Sequence, residues 1–280
     1  IESANDLAEE IIRLYGYDHI NCTLMDSGAQ TIGGKTVAQQ NIDNLKNLLV
    51  GEGMNETYSY SFTTPKMFDL LEVEKDSKLR DTVKLLNPLG EDVSIMRTTL
   101  MHSMIEIIAK NITRGNKSAR FFEFANTYMP KQLPMVEQPI ETQKLALGVY
   151  GEAEDFYTIK GIVENTIAYF GVKASYTRPN CSCLHPGISA NVVVDGKIVG
   201  VFGEVRPNIA AKYDVKTKIY IAEIDIDLLN SLYDNSYEFK AISKYPSVER
   251  DLAVVVEESV TAEQIINVSA KYAGKMLTNV

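Results

Sequence analysis

Residues 96–128 carry the clearest alternation of apolar and polar positions in the chain. Thr98 and Thr99 are suitable caps for a helix. The apolar positions behind them recur at helical spacing and form one wide stripe: Leu100, Met101, Met104, Ile105, Ile108 and Ile112. Arg114-Gly115-Asn116 ends this pattern, and residues 119–128 then alternate with period two. Because aromatic residues occupy both faces of the second segment, the pattern predicts a central strand covered on both sides by helices.

Similar signals divide the rest of the chain into elements. Apolar residues at helical spacing predict helices at residues 3–15, 36–51, 155–171 and 261–274, with a short helix from Pro207. Alternating or short apolar runs predict strands at residues 58–62, 83–86, 145–150, 218–226 and 252–256, and a hairpin at 189–204 around Asp195-Gly196. Asp227 is the predicted cap of a short segment at 228–229, and Thr261 forms a capping box with Gln264. Antiparallel strands with interspersed helices predict an α+β fold.

Composition narrows the class of protein. The chain has 280 residues, of which 45% are hydrophobic, and a net charge of -9. This charge argues against sequence-independent binding of nucleic acid over the whole surface, which requires clustered Lys and Arg. The three cysteines, Cys22, Cys181 and Cys183, indicate a reducing compartment because they cannot form an even disulfide framework. No apolar run approaches the ~20 residues of a membrane span. The chain begins at Ile1 inside a helical pattern, so we interpret it as part of a longer protein.

Three acidic residues of the first predicted helix are candidate metal ligands. Asp6, Glu9 and Glu10 stand at i, i+3 and i+4, which places their carboxylates on one helix face. Such a face can hold Mg²⁺, which prefers a few carboxylate oxygens plus water. The alternative is a solvated acidic face that is partly balanced by Arg13.

Other candidate motifs indicate structure more than chemistry. Gly33-Gly34-Lys35-Thr36 lacks both the first glycine and the preceding strand of a phosphate-binding loop, so we reject that interpretation. Cys181, Cys183 and His185 offer three zinc ligands, whereas a structural zinc site needs four, so we interpret His185 as a turn residue. His102 is expected to form a hydrogen bond near the core edge. A modest basic cluster is either a solvated helix end or a contact for a nucleic-acid backbone: Lys110, Arg114, Lys117 and Arg120.

The order of several short motifs resembles the beta subunit of bacterial phenylalanine–tRNA ligase, in particular its C-terminal half. The similarity covers essentially the whole chain. Its motifs are Asp6-Leu7-Ala8-Glu9-Glu10, Leu14-Tyr15-Gly16-Tyr17-Asp18, Asn87-Pro88-Leu89, Met96-Arg97-Thr98-Thr99-Leu100, Phe121-Phe122-Glu123-Phe124, residues 157–164, His185-Pro186-Gly187 with Ala190, Gly200-Val201-Phe202-Gly203-Glu204 with Pro207, Lys244-Tyr245-Pro246-Ser247-Val248 and Arg250-Asp251-Leu252.

This resemblance implies three parts. Residues 1–22 correspond to the end of a preceding helical, winged-helix-like domain. Residues 23–232 correspond to a class II aminoacyl-tRNA synthetase-like core, in which helices flank an antiparallel sheet. Residues 238–280 correspond to the first strand and helix of a ferredoxin-like anticodon-binding domain. One strand and one helix cannot bury an apolar face alone, so this last unit is expected to be incomplete.

The resemblance also implies partners and cofactors. The family works as a cytoplasmic alpha2beta2 heterotetramer that attaches phenylalanine to tRNA(Phe), and its alpha subunit binds the ATP. Asp6, Glu9 and Glu10 match Mg²⁺ ligands that the family shares with the alpha subunit. A fourth ligand of the family would precede Ile1, so the ligand set in this sequence is incomplete.

The sequence predicts no catalytic and no cofactor-binding residues in the synthetase-like core. Adenylate formation needs cationic groups aimed at the phosphates, and class II synthetases supply an arginine two residues before a glutamate. Here Arg120 and Glu123 lie three apart, and no Gly-x-Gly-x-Gly segment ending in Arg follows. We therefore expect a non-catalytic scaffold that docks on the alpha subunit and supports tRNA binding. The alternatives are an independent class II ligase and a free-standing RNA-binding or subunit-assembly module.

Overall fold

Regular structure follows the predicted periodicity in the computed structural model, which describes residues 1–24, 33–234, 236, 239, 241–242 and 244–280. The helices are α1 (Ala4–Tyr15), α2 (Val37–Gly51), α3 (Met67–Leu70), α4 (Met101–Thr113), α5 (Phe156–Tyr169), α6 (Pro207–Lys212), α7 (Ile226–Ser231) and α8 (Ala262–Ala273). The strands are β1 (Asn55–Glu56), β2 (Phe62–Thr63), β3 (Ile95–Met96), β4 (Ala119–Met129), β5 (Ile140–Tyr150), β6 (Ser175–Thr177), β7 (Leu184–Val194), β8 (Lys197–Val205) and β9 (Ile219–Asp225). None of these helices has the length and apolar character that crossing a membrane requires.

The larger of two units, Ile1–Ser236, is built on a seven-stranded sheet in the order β1-β4-β5-β9-β8-β7-β6. Its pairs are antiparallel except for β1, which runs parallel to β4. The sheet is therefore mixed, which corrects the predicted antiparallel sheet at one edge. The chain passes through β2, α3, β3 and α4 between those two strands, and a parallel pair requires such a crossover.

Helices cover both faces of this sheet. The first hydrophobic core lies between the sheet and α2, α5 and α7, and the second between the sheet and α3, α4 and α6. In β4, Phe122 belongs to the first core and Phe121 to the second, which confirms that this strand is covered on both sides. The predicted central position is wrong: β4 lies next to the two-residue edge strand, and β9 is the middle strand. Aromatic residues on both faces of a strand indicate that both faces are buried. They do not indicate where the strand stands in the order of the sheet.

Capping residues and tight turns account for most element boundaries. Thr36 and Asp155 begin α2 and α5 with capping boxes. The hairpin of β7 and β8 turns at Asp195 and Gly196, whose φ angles of 49° and 74° suit a two-residue turn. Pro207 is the first residue of α6, as predicted.

Of the predicted caps, Asp227 is wrong and the threonine cap of α4 is met in part, because Thr99 Oγ1 accepts the backbone N–H of Met101 at 3.2 Å without occupying the N-cap position. Leu100 occupies the N-cap position of α4 and makes no side-chain cap. The hydroxyl of Thr98 donates to the carbonyl oxygen of Leu79 at 2.7 Å, and that of Thr99 donates to a buried glutamate. Asp225 caps α7, whereas Asp227 accepts a hydrogen bond from the backbone N–H of Gln143 at 2.7 Å.

Two predicted strands are shorter than their apolar patterns. Residues 58–62 contribute only the start of β2, and residues 83–86 make a single bridge between Lys84 and Ile95. The side chains of Tyr58 and Tyr60 are exposed, so in the described part of the chain no other element covers them to stabilise an extended strand.

The smaller unit, Tyr237–Val280, contains α8 and a short 3-10 helix, Gly274–Met276. Thr261 and Gln264 form the predicted capping box at the start of α8. The predicted strand at residues 252–256 is not formed: in the described part of the chain no segment pairs with it, and its side chains are exposed. A strand requires a neighbour for its backbone N–H and C=O groups, and apolar alternation alone does not supply one.

The close approach of β8 and β9 can be tested by a substitution at Gly200. A Cβ atom built on Gly200 of β8 would lie 2.7 Å from the carbonyl oxygen of Glu223 and 3.1 Å from Cα of Ile224 in β9, and backbone cannot move aside cheaply. We expect Gly200→Ala to lower the free energy of unfolding by about 1–3 kcal/mol. The matched control is Gly161→Ala in α5, where no atom lies within 4 Å. It should raise that free energy by about 0.5–1 kcal/mol. Urea denaturation measures both, and equal stability of the two variants would contradict the prediction.

Candidate functional site

A cleft of about 670 Å³ opens beside the N-terminal end of α4 and is the candidate functional site. Aromatic side chains from the segment between β1 and β2 form one wall: Tyr58, Tyr60 and Phe62. Buried polar side chains form the floor: Arg97, Thr99 and His102. The cleft therefore combines an apolar wall with charged groups that have been removed from water.

The guanidinium group of Arg97 lies in this floor and is only 4% exposed. Its Nε donates to the carbonyl oxygen of Asn126 at 2.9 Å. Its Nη1 donates to Ser59 Oγ at 2.7 Å and to the carbonyl oxygen of Tyr60 at 3.2 Å. Glu123 Oε1 lies 3.4 Å from the same nitrogen and balances the charge. Because protein groups occupy Nε and Nη1, turning Arg97 toward a phosphate would leave the buried carboxylate of Glu123 unpaired.

Glu123 is bound equally firmly. Ser59 donates to its Oε1 from the backbone N–H at 3.0 Å and from the hydroxyl at 2.7 Å. Arg120 takes no part, since successive residues of a strand point to opposite faces and these two are three apart. Instead, Arg120 donates from Nε to Glu154 at 2.9 Å. The geometry agrees with the predicted loss of the synthetase-type arginine–glutamate spacing.

A second buried ion pair lies on the middle strands. Glu223 Oε1 accepts from Lys144 Nζ at 2.6 Å. Its Oε2 accepts from the Thr99 hydroxyl and the Leu100 backbone N–H, each at 2.6 Å. Burial by itself would raise the pKa of Glu223, but Lys144 and these two donors outweigh burial and hold the pKa below its ordinary value. Burial likewise opposes the charge of Lys144, and Glu223 overcomes it and raises the lysine pKa. Both shifts favour the charged pair.

His102 is buried in the floor of the cleft. Its Nδ1 lies 2.7 Å from the hydroxyl oxygen of Tyr213, and its Nε2 lies 3.7 Å from Glu106 Oε1. Burial lowers the pKa of His102 and raises the pKa of Tyr213, so both groups are neutral at neutral pH. The hydrogen bond predicted for His102 is confirmed, and its tyrosine partner comes from a distant part of the sequence.

The cleft has little capacity to bind and activate a nucleotide. Stabilising the charge that develops on a phosphate requires preorganised donors. Among the described residues that line the cleft, the cationic side chains are Arg97, which is already bound, and Lys110, which is exposed at the rim. By contrast, Tyr58 and Tyr60 are 79% and 83% exposed. Aromatic side chains exposed beside a cleft are typical of surfaces that contact another protein.

The predicted magnesium ligands lie on α1, where two of the three carboxylates have other partners. Asp6 Oδ2 accepts two backbone N–H groups of the capping turn at 2.6 and 2.9 Å, which lowers the pKa of Asp6. Glu10 Oε2 pairs with Arg13 Nη2 at 2.6 Å, and Glu9 lies beside it on the helix. Within the described ranges, no three His, Cys, Asp or Glu side chains group as a metal ion requires. As arranged in this chain, these residues do not form a complete site, and the magnesium assignment stays a prediction.

The other candidate motifs have separate environments. His185 Nδ1 accepts the backbone N–H of Gly187 at 3.1 Å, but both residues lie within β7, in its irregular stretch between Leu184 and Ser189, so the predicted turn is wrong. Cys181 and Cys183 lie side by side, with 3.4 Å between their sulfur atoms. In the predicted basic cluster, Arg120 is drawn away by its ion pair with Glu154. These four positions do not form one site.

Sequence reasoning missed the two buried ion pairs. It included Arg97 only within a motif and gave no role to Lys144 or Glu223. A usable signal was present, because Glu223 interrupts the apolar strand β9 and a charge in such a strand is buried and paired more often than it is exposed. Its partner was not visible, since Lys144 lies on another strand.

Comparison with known proteins places this fold and cleft in the class of aminoacyl-tRNA synthetase components. Residues 21–226 match the family model of the phenylalanyl tRNA synthetase beta chain CLM domain, and the chain belongs to that family.

Relatives carry the similarity over the whole chain. The phenylalanine–tRNA ligase beta subunit of Clostridium tetani is 40% identical over 277 residues, which cover 98% of this chain and 35% of the relative. The corresponding subunit of Clostridium acetobutylicum is 40% identical over 280 residues, which cover 99% of this chain and 35% of the relative. The beta subunit of Bacillus subtilis is 32% identical over 288 residues, which cover 98% of this chain and 35% of the relative. The chain thus spans about a third of the length of these curated relatives.

The ion pair of Glu223 and Lys144 predicts a pH-dependent stability. A carboxyl group whose pKa is lowered by folding stabilises the protein above its unfolded pKa of about 4.3, and this contribution is lost as the pH falls through the folded value. We expect Glu223→Gln to lower the free energy of unfolding at pH 7 by about 3–5 kcal/mol, because Lys144 stays buried without its partner. The difference from the wild type should shrink between pH 5 and pH 3.

Urea denaturation across that range measures the effect. The control is Glu137→Gln, which breaks the exposed pair between Lys131 and Glu137 and should cost less than about 1 kcal/mol at every pH. A loss in Glu223→Gln that stays constant from pH 7 to pH 3 would show that the glutamate does not act through its charge.

Proposed function

We propose that this chain is a non-catalytic scaffold within phenylalanine–tRNA ligase, the enzyme that attaches phenylalanine to tRNA(Phe) with ATP. One observation carries the proposal: Arg97 is paired with Glu123 inside the protein. In a catalytic relative, an arginine in such a cleft would have to face the phosphates of ATP. Here ATP binding and adenylate formation are assigned to the alpha subunit.

We further propose that residues 23–232 form a class II synthetase-like core. The support is a seven-stranded sheet with largely antiparallel pairing, helices on both of its faces, and the family match over residues 21–226. Residues 1–22 would then be the end of a winged-helix-like domain. Residues 238–280 would be the start of a ferredoxin-like anticodon-binding domain, to which α8 contributes the first helix.

The proposed partner is the alpha subunit, in a cytoplasmic alpha2beta2 assembly that binds tRNA(Phe). The docking surface would include the aromatic wall of the cleft, because Tyr58 and Tyr60 are largely exposed and Phe62 adjoins them. A permanent interface of this kind buries roughly 2,000 Å² or more and is apolar in composition. The buried, paired charge in the floor would hold this wall in place through its hydrogen bonds, and it would not itself bind the partner.

A shared magnesium ion stays part of the proposal. Asp6, Glu9 and Glu10 would contribute ligands only after their capping and ion-pair contacts rearrange against the alpha subunit. The scaffold role does not depend on this ion, since the contacts in the cleft lie on other elements.

Association with the alpha subunit tests the scaffold role. The experiment is co-purification of the full chain with a tagged alpha subunit, followed by measurement of the mass of the complex. We expect a stable complex for the wild type. The double variant Tyr58→Ser/Tyr60→Ser should weaken it by at least about tenfold, since buried tyrosines at the centre of an interface often contribute 2 kcal/mol or more.

The matched control is Tyr157→Ser, which removes an equally exposed tyrosine from α5. It should bind like the wild type. Failure of the wild-type chain to bind would overturn the scaffold proposal, whereas equal binding by the double variant and the control would place the interface elsewhere on the chain.

A further inference from the structure

Three sulfur atoms meet where the first residue of α4 contacts the segment before β7. The Sγ atoms of Cys181 and Cys183 are 3.4 Å apart, and Cys183 Sγ lies 3.3 Å from the thioether sulfur of Met101. Cys183 is therefore the middle member of a continuous group, which we call the sulfur cluster (Met101, Cys181 and Cys183). Neither the cleft beside α4 nor its charged floor uses these side chains.

The sulfur cluster opens on a second cleft of about 270 Å³, which all three side chains line. Cys183 is buried, whereas Cys181 is partly exposed, so an ion can approach from the cleft side. Glu74 and Asp76 line the same cleft and are exposed. Two carboxylates at its mouth raise the local concentration of cations.

Hydrogen bonds to two other segments hold the short stretch that carries both cysteines in place. The N–H of Arg206 donates to the carbonyl oxygen of Cys183 at 3.0 Å, and the hydroxyl of Ser182 donates to the carbonyl oxygen of Leu71 at 3.0 Å. The third ligand is adaptable, because a methionine side chain has three rotatable bonds and a polarisable sulfur. Metal–sulfur bonds of about 2.3 Å require the sulfurs to separate by roughly half an ångström, which methionine can accommodate.

We propose that Met101, Cys181 and Cys183 bind one Cu(I) ion. Two thiolates and a thioether are soft ligands, and this combination selects Cu(I) over the harder divalent ions. Binding replaces the two thiol protons, which pass to the solvent, and leaves the oxidation state of copper unchanged. Zinc is disfavoured because it prefers four nitrogen or thiolate ligands, and the nearby His185 accepts a hydrogen bond from Gly187 instead.

A bound ion would join two separate parts of the fold. Met101 begins α4, and the cysteines belong to the segment that leads into β7. The neighbouring residues Thr99 and Leu100 are held by the buried carboxylate of Glu223. Copper at the sulfur cluster would therefore stabilise the start of α4 through Met101, in addition to the hydrogen bonds that hold Thr99 and Leu100.

The test is an anaerobic titration of the full chain with Cu(I) against a chromogenic Cu(I) chelator. We expect one ion per chain to resist the chelator. Cys181→Ser should abolish this binding, and Met101→Leu, which keeps the size of the side chain, should weaken it by at least about 10-fold, because loss of a ligand costs no less than the 10- to 100-fold seen when a residue that supports a ligand is lost. The control is Cys22→Ser, which removes the exposed third cysteine and should change nothing.

Thermal unfolding of the wild type gives a readout that needs no variant. Ag(I), a redox-inert analogue of Cu(I), should raise Tm, since a ligand that binds the folded state stabilises it, whereas Zn²⁺ at the same concentration should not. The proposal is overturned if wild type and Cys181→Ser compete equally for Cu(I), if Met101→Leu binds as tightly as wild type, or if Zn²⁺ stabilises as much as Ag(I).

Discussion

The guanidinium group of Arg97 joins three segments of the chain that otherwise have little reason to meet. It reaches the carbonyl oxygens of Tyr60 and Asn126, the hydroxyl of Ser59 and the carboxylate of Glu123 from a position just before α4. A buried charge of this kind is expensive unless its hydrogen bonds are satisfied. Once they are, the connection after β1, the strand β4 and the start of α4 must keep one relative arrangement.

This arrangement determines what the face of the sheet can do. Helix α4 lies directly on β5 and β9, where Gly148 leaves room for its apolar side chains. A Cβ atom on Gly148 would lie 2.6 Å from the sulfur of Met104. An open sheet face with free cations would suit a nucleotide, whereas this face holds a helix and paired charges. What remains exposed is the aromatic wall, which suits contact with protein.

Local signals predicted most of the regular structure. The capping boxes at Thr36 and Asp155 and the Asp195-Gly196 turn each act over a few residues, so the sequence alone contains what they need. The strand predicted at residues 252–256 failed for the opposite reason, because a strand depends on a partner that local alternation does not reveal.

The candidate site was less accessible to sequence reasoning, since its contacts are long-range. Arg97 and Glu123 are 26 residues apart, Lys144 and Glu223 are 79 apart, and Thr99 and Glu223 are 124 apart. The spacing of Arg120 and Glu123 predicted a core without catalytic residues, and this stays a prediction. What the site contains became visible only when the fold brought these side chains together. Met101 likewise had been interpreted only as part of an apolar stripe.

The most direct test of the proposed non-catalytic role is to measure nucleotide chemistry on the chain itself. Phenylalanine-dependent exchange of labelled pyrophosphate into ATP, together with equilibrium binding of ATP in the presence of Mg²⁺, would be measured without the alpha subunit. If the charge of Arg97 is paired with Glu123 as the structure shows, the chain will show no exchange and no ATP binding at micromolar concentrations. Measurable exchange, or a nucleotide bound with its phosphates against Arg97, would contradict the central claim.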